Sequence, residues 1–193
     1  MRVSIIVAMV ATAATALPSS AKTIAFSGTL AAVNTPASPI GRCAPDARTV
    51  TIAPINSGTF GISNLGAIAP TQSHCIKGLP GPYDRGRFVF DFGGGDTLIG
   101  TYFGALSFSG MRGVFDNMQT YRVTDGTGRF DDAGGAFSGI GTLSFPGDGF
   151  AHATQTFSGS LNVPEPAGWM LLGTGLTLGF ASRRKSKAPA RLG

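Results

Sequence analysis

Glycine occupies 29 of the 193 positions, and this is the feature that most restricts the fold. Each glycine inside a helix costs about 1 kcal/mol relative to alanine, so a helical domain does not tolerate that many. Short strands joined by tight turns accommodate glycine well, because it adopts the backbone angles that tight turns need. The glycine content therefore predicts a β-rich domain.

Alternating side-chain patterns between residues 22 and 162 support this prediction. Residues 87–92 alternate phenylalanine with other residues, which places Phe88, Phe90 and Phe92 on one face of a strand. Short runs of this kind, separated by Gly-rich turns, predict an all-β domain, either an antiparallel barrel or a sandwich. The predicted strands cover residues 23–30, 49–52, 87–92, 97–103, 120–123, 136–145 and 154–161, and the predicted turns cover residues 93–96, 125–126, 132–135 and 146–149.

The net charge of +5 belongs to the two ends of the chain. Residues 22–162 contain nine basic and nine acidic side chains, so their charges cancel. A nucleic-acid-binding domain needs a surplus of positive charge on the folded surface that meets phosphate. We therefore expect no nucleic-acid partner.

Residues 1–21 are typical of a secretory signal peptide and predict an N-terminal signal helix. Arg2 supplies a positive start, and residues 5–17 form an apolar or small stretch of the usual length. Small residues precede a predicted cut after Ala21, with a cut after Ala16 as the second choice. The alternatives are a retained anchor helix or a buried strand, although the run is short for a membrane span.

Residues 163–193 predict a membrane-held tail after the domain at residues 22–162. A proline-rich motif at 163–169 precedes an apolar helix at 167–182, which would span about 24 Å, and a basic end follows at 183–193. Basic residues stay on the cytoplasmic side, so the folded domain would lie outside the inner membrane. The motif residues are Val163, Pro164, Glu165, Pro166 and Trp169, and the stop-transfer cluster is Arg183, Arg184 and Lys185.

The order of these tail elements resembles the PEP-CTERM sorting signal of Gram-negative bacteria. Here Trp169 is followed by Met170-Leu171-Leu172, and the tail continues beyond its basic cluster. The resemblance implies processing near residues 164–166 by a membrane-embedded exosortase. It also implies that the released protein goes to the cell surface or to an exopolysaccharide matrix, which would then be a partner.

The later half of the domain resembles a second group of secreted bacterial proteins. Residues 96–102 are followed by residues 121–130, which end in Gly126-Thr127-Gly128-Arg129-Phe130, and by a run at 136–143. This arrangement is similar to part of the allene oxide cyclase-like barrel proteins. The resemblance implies a barrel architecture and does not imply cyclase activity, because one fold hosts many functions.

Cys43 and Cys75 are the two cysteines of the chain. An exported protein meets an oxidising compartment, where paired cysteines form disulfides. We predict a Cys43–Cys75 disulfide, with free thiols or metal ligands as the alternative. The stretch between them, which contains Gly58 and Pro70, is expected to be weakly structured.

Other polar residues offer little chemistry. Neighbouring strand residues such as His74 and Cys75 point to opposite faces, so we expect no metal site and no cofactor. Asp96 in one turn, and Asp125, Asp131 and Asp132 in another, could bind calcium, but turn formation is the preferred interpretation. Arg129 is expected to pair with Asp125 or with a backbone carbonyl, while Phe130 packs inward.

The sequence therefore predicts a non-enzymatic surface or matrix protein that an exosortase processes. One alternative is a barrel that binds a glycan or a small apolar ligand, with Phe88, Phe90, Phe92 and Tyr102 around it. A second alternative is an enzyme of unknown substrate, although no Gly-x-Ser-x-Gly elbow or carboxylate pair nominates its catalytic residues.

Overall fold

The computed structural model describes residues 21–52 and 58–164. The predicted signal helix, membrane helix and basic end lie outside these residues. The described residues form nine strands and one short 3-10 turn at Gly128–Phe130. The strands are β1 (Ala21–Asn34), β2 (Arg48–Ile52), β3 (Phe60–Ser63), β4 (Gly66–Ile76), β5 (Gly81–Asp91), β6 (Thr97–Phe108), β7 (Val114–Thr127), β8 (Gly134–Ser144) and β9 (Ala151–Pro164).

The strands form one antiparallel sheet that closes on itself. β1 pairs with β9 along its whole length, from Ala21 opposite Pro164 to Asn34 opposite Ala151. On its other side β1 pairs with β3 and, at its end, with β2, and β4 pairs with both of these short strands. The all-β prediction is confirmed, and we call the closed sheet the barrel.

The pairing of β1 with β9 defines the two ends of the barrel. Ala21 and Pro164 mark one end, which we call the terminal end. Asn34 and Ala151 mark the other, which we call the distal end. All connections of the chain to its predicted export segments therefore leave from the terminal end.

Aromatic rings fill the half of the barrel nearer the terminal end. Phe88 and Phe90 are buried on one face of β5, and Phe92 follows them at the edge of the same cluster, as predicted. The rings of Tyr121 and Phe137 stack with centroids 4.4 Å apart. Such offset contacts add to the stabilisation that burial of the rings provides.

Two predictions about chain organisation are wrong. The stretch between the cysteines is not weakly structured in its described part, because it contains β2, β3 and β4, and Pro70 is buried within β4. Residues 125–126 do not form a turn, because β7 continues to Thr127 through a shift in pairing register at Ile99 and Gly100. A β-bulge absorbs the extra residue there, so the Asp-Gly pair lies within the ladder.

Candidate functional site

A cavity of about 570 Å³ occupies the distal half of the barrel. This volume lies within the range of about 300–1,000 Å³ that is typical of small-molecule sites. Its walls are mainly apolar, and they come from strands on all sides of the barrel. The apolar wall residues include Leu30, Ala32, Val50, Ile52, Leu106, Leu143 and Ala153.

Polar side chains separate this cavity from the aromatic core. They come from β4, β7 and β9, where they occupy inward positions next to core residues such as Tyr121 and Phe157. All of them are buried, and all line the cavity. We call this set the polar floor, and it consists of Gln72, His74, Asn117, Gln119 and Gln155.

Two tyrosine hydroxyls fix the orientation of the floor amides. Tyr83 Oη donates to Asn117 Oδ1 over 2.6 Å, and Tyr121 Oη donates to Gln119 Oε1. Gln155 Nε2 in turn donates to Tyr121 Oη over 2.8 Å. A phenol has a single hydrogen to donate, so each amide oxygen that accepts it must point at its tyrosine. The amide nitrogens of Asn117 and Gln119 therefore point away from those hydroxyl hydrogens.

His74 is held in its neutral form. Its Nδ1 lies 2.8 Å from Tyr102 Oη, and burial raises the pKa of Tyr102 well above its usual value. Burial, followed by repulsion from Arg42, lowers the pKa of His74 to about 4. The Tyr102 hydrogen has no other acceptor among the described residues, so it is donated to Nδ1. The ring proton of the neutral imidazole then lies on Nε2.

The rim of the cavity carries positive charge. Arg48 and Lys77 line the cavity and are exposed. Among the described lining residues none is acidic, and the rest of the rim includes Leu79, Phe145 and Phe150. The cavity is therefore polar and uncharged at its floor, apolar along its walls and cationic at its rim.

The aromatic residues that the sequence nominated for ligand contact do not line this cavity. Phe88, Phe90, Phe92 and Tyr102 belong to the aromatic core. The residues of the polar floor were missed. The sequence did contain a sign of them, because polar residues occupy every second position next to a core aromatic. Asn117 and Gln119, for example, precede Tyr121 on the same face of β7.

The predicted disulfide is confirmed. Cys43 and Cys75 are joined with their Cα atoms 5.5 Å apart, and both are buried. Cys43 Sγ also lies 3.7 Å from the backbone oxygen of His74. The bridge therefore fastens the segment before β2 to the strand that carries His74 of the polar floor.

The turn residues considered for calcium are partly engaged in protein contacts. Asp96 Oδ2 pairs with Arg129 Nε over 3.1 Å, and its Oδ1 accepts the backbone N–H of Arg129. Arg129 also donates to the Leu65 carbonyl over 2.8 Å, so pairing with a backbone carbonyl is confirmed and pairing with Asp125 is wrong. Phe130 packs inward as predicted. No group of three or more potential metal ligands occurs within residues 21–52 and 58–164.

The first residues of the tail motif belong to the last strand of the barrel. β9 continues two residues past the predicted domain end, and Val163 and Pro164 pair with Lys22 and Ala21. Ala21, the predicted cleavage residue, is the first residue of β1. The other motif residues lie outside the described residues: Glu165, Pro166, Trp169, Arg183, Arg184 and Lys185. In the part of the chain that the structure describes, no helix has the length and apolarity to cross a membrane.

Comparison with known proteins identifies the tail. A family described as PEP-CTERM protein-sorting motif matches residues 162–185. The match supports an exported protein with a membrane-anchored precursor that an exosortase sorts and processes. No curated protein and no solved structure matches the chain. The allene oxide cyclase-like resemblance of the barrel therefore stays a prediction.

Proposed function

We propose that the mature protein is a non-enzymatic component of the cell surface or the exopolysaccharide matrix, released from its membrane anchor by an exosortase. The observation that carries this proposal is the sorting motif at residues 162–185. Its first three residues are the last residues of β9, so the motif follows the folded barrel with no spacer. Exosortase would cut near residues 164–166, next to the terminal end.

The character of the barrel agrees with a non-catalytic role. The titratable group of the polar floor is His74, whose pKa is lowered to about 4 by burial, so the imidazole is uncharged at neutral pH. No carboxylate lies among the described residues around it that could exchange a proton with it. General acid–base catalysis at neutral pH works best with a pKa near 7.

Processing can be tested in the native host with and without its exosortase. We expect the intact mass of the protein to show a cut near residues 164–166 in the parent strain, and the uncut tail in the strain that lacks the enzyme. Glu165→Ala should reduce processing, whereas Ser186→Ala, beyond the matched motif, should leave it unchanged. Identical masses and locations in the two strains would show that the tail is not an exosortase substrate.

The final destination needs a separate measurement. We expect the processed protein to co-purify with exopolysaccharide and to appear in the medium when polysaccharide synthesis is deleted. A processed protein that stays with the cells in both strains would favour the surface over the matrix.

A second function is favoured by the cavity at the distal end: binding of a small, mostly apolar ligand. Its walls are apolar and its volume of about 570 Å³ suits a small molecule. Ala153→Trp would place an indole into this space from the wall of β9. We expect this variant to fold and to lose uptake of apolar fluorescent probes.

A further inference from the structure

We propose that the cavity binds an uncharged, mostly apolar molecule whose carbonyl-type oxygen accepts hydrogen bonds from Asn117 and His74 of the polar floor. This inference rests on the second proposed function, ligand binding in the barrel, and adds the chemical class of the ligand. It follows from which polar atoms of the floor are in use and which are not.

The side-chain nitrogen of Asn117 has no hydrogen-bond partner among the described residues. Its oxygen accepts the Tyr83 hydroxyl over 2.6 Å, and this contact fixes which way the amide points. His74 is oriented in a similar way by Tyr102. Its Nδ1 accepts the Tyr102 hydroxyl, so the ring proton lies on Nε2. Each side chain thus keeps an N–H group that no described protein atom accepts.

These two N–H groups are accessible, whereas the unpartnered oxygens of the floor and wall are enclosed. Among the described residues, the enclosed side-chain polar atoms without a partner are Asn34 Oδ1 and Gln155 Oε1. Asn117 Nδ2 and His74 Nε2 do not belong to that group. Both residues are buried from bulk solvent but line the cavity, so a ligand inside the cavity can reach their nitrogens.

The two donors belong to one corner of the floor. The Tyr83 ring lies between them, since its hydroxyl bonds Asn117 and its ring centroid is 4.5 Å from that of His74. Gln119 adds to this corner, because its side chain lines the cavity and its oxygen accepts the Tyr121 hydroxyl. Such a corner offers hydrogen-bond donors to an oxygen on the ligand.

The charge of the floor selects among possible acceptors. A carboxylate or phosphate placed there would lose its hydration without a cation to pair with inside the cavity, which is strongly unfavourable. Arg42, whose charge acts on His74, bonds Ser73 and does not line the cavity. Arg48 and Lys77 are exposed residues of the rim, away from the floor. A ketone, ester or amide oxygen needs only hydrogen-bond donors, and its apolar body would face Leu106 and Leu143 on the walls.

The test uses the processed protein recovered from its host, with the disulfide intact, and two naphthalene probes. Prodan is an uncharged naphthyl ketone whose emission shifts to the blue in an apolar site, and 2-ethylnaphthalene lacks the carbonyl. Asn117→Asp keeps the oxygen that Tyr83 needs and removes the N–H donors. His74→Phe removes the second donor, and Met118→Leu, the exposed neighbour of Asn117, is the matched control.

We expect prodan to bind at one site, with affinity lowered about tenfold by Asn117→Asp and by His74→Phe. Met118→Leu should not change it, and 2-ethylnaphthalene should bind every one of these variants equally. Thermal unfolding of each variant checks that the barrel is intact. Because Asn117→Asp and His74→Phe act on different strands, loss of folding in one leaves the other as the test.

Three results would overturn the proposal, each in a distinguishable way. If the two probes bind equally well and neither floor variant weakens prodan binding, the cavity binds apolar molecules without hydrogen-bonding a carbonyl oxygen. If dodecanoate displaces prodan and binds more tightly than it does, the ligand class is anionic. If no probe binds, or if Ala153→Trp leaves binding unchanged, ligand binding in the barrel fails as well.

Discussion

Removal of the Cys43–Cys75 disulfide should destabilise the barrel strongly. The bridge spans 32 residues of sequence, and closing a loop of that length lowers the entropy of the unfolded chain by an amount worth about 3.7 kcal/mol at 25 °C. For a chain of this size, this loss corresponds to a fall in Tm of about 7–15 °C. The segment that detaches precedes β2, whose residues Val50 and Ile52 line the cavity, so probe binding should weaken too.

Urea unfolding of three proteins measures this effect. Cys43→Ala and the double variant Cys43→Ala/Cys75→Ala should be destabilised by similar amounts, because each lacks the cross-link. The parent protein should fall to nearly the same stability when a reductant is added, while the variants should not respond to it. A loss below about 1 kcal/mol, or a parent protein whose unfolding ignores the reductant, would refute the cross-link argument.

Three further predictions follow from single positions. Gly141→Ala should destabilise the protein by about 1–3 kcal/mol in urea unfolding, because its new Cβ would overlap the Thr154 backbone oxygen, whereas Gly134→Ala on the same strand meets open space and should be neutral. His74 has a pKa lowered to about 4, so folding should lose about 3 kcal/mol as the pH falls from 6.5 to 4, and His74→Gln should remove that part of the pH dependence. Arg129→Gln should lower Tm by a few degrees, because Arg129 bonds the Leu65 carbonyl and covers the Phe130 ring at 4.7 Å.

Local patterns predicted the strands that alternate cleanly. The run at 87–92 falls within or next to β5, because phenylalanine there recurs at every second position. The runs at 154–161 and 136–145 fall within or next to β9 and β8, although glycine and polar residues occupy many of their positions. β3 and β4 were missed because glycine, proline and buried polar residues replace the apolar ones. Pro70, Gln72 and His74 are successive inward residues of β4, and none of them is a typical strand core residue.

The disulfide was predictable and the cavity was not. The pairing of Cys43 with Cys75 needs only the number of cysteines and an oxidising compartment. The polar floor instead depends on the closure of the barrel, which brings His74, Asn117 and Gln155 together from three strands. No short-range pattern relates these positions, because their proximity is set by the order and register of the strands between them.

The pairing of β1 with β9 separates the two proposed functions in space. From Ala21 to Asn34 the strand extends over 14 residues, which is roughly 40 Å along the strand at about 3.3 Å per residue. With the strand tilt usual in barrels, of about 35–45°, the terminal and distal ends lie on the order of 30 Å apart. A precursor held in the membrane by its tail would therefore present the cavity away from the bilayer. A ligand would enter from the aqueous side, and release of the tail would leave the polar floor unchanged.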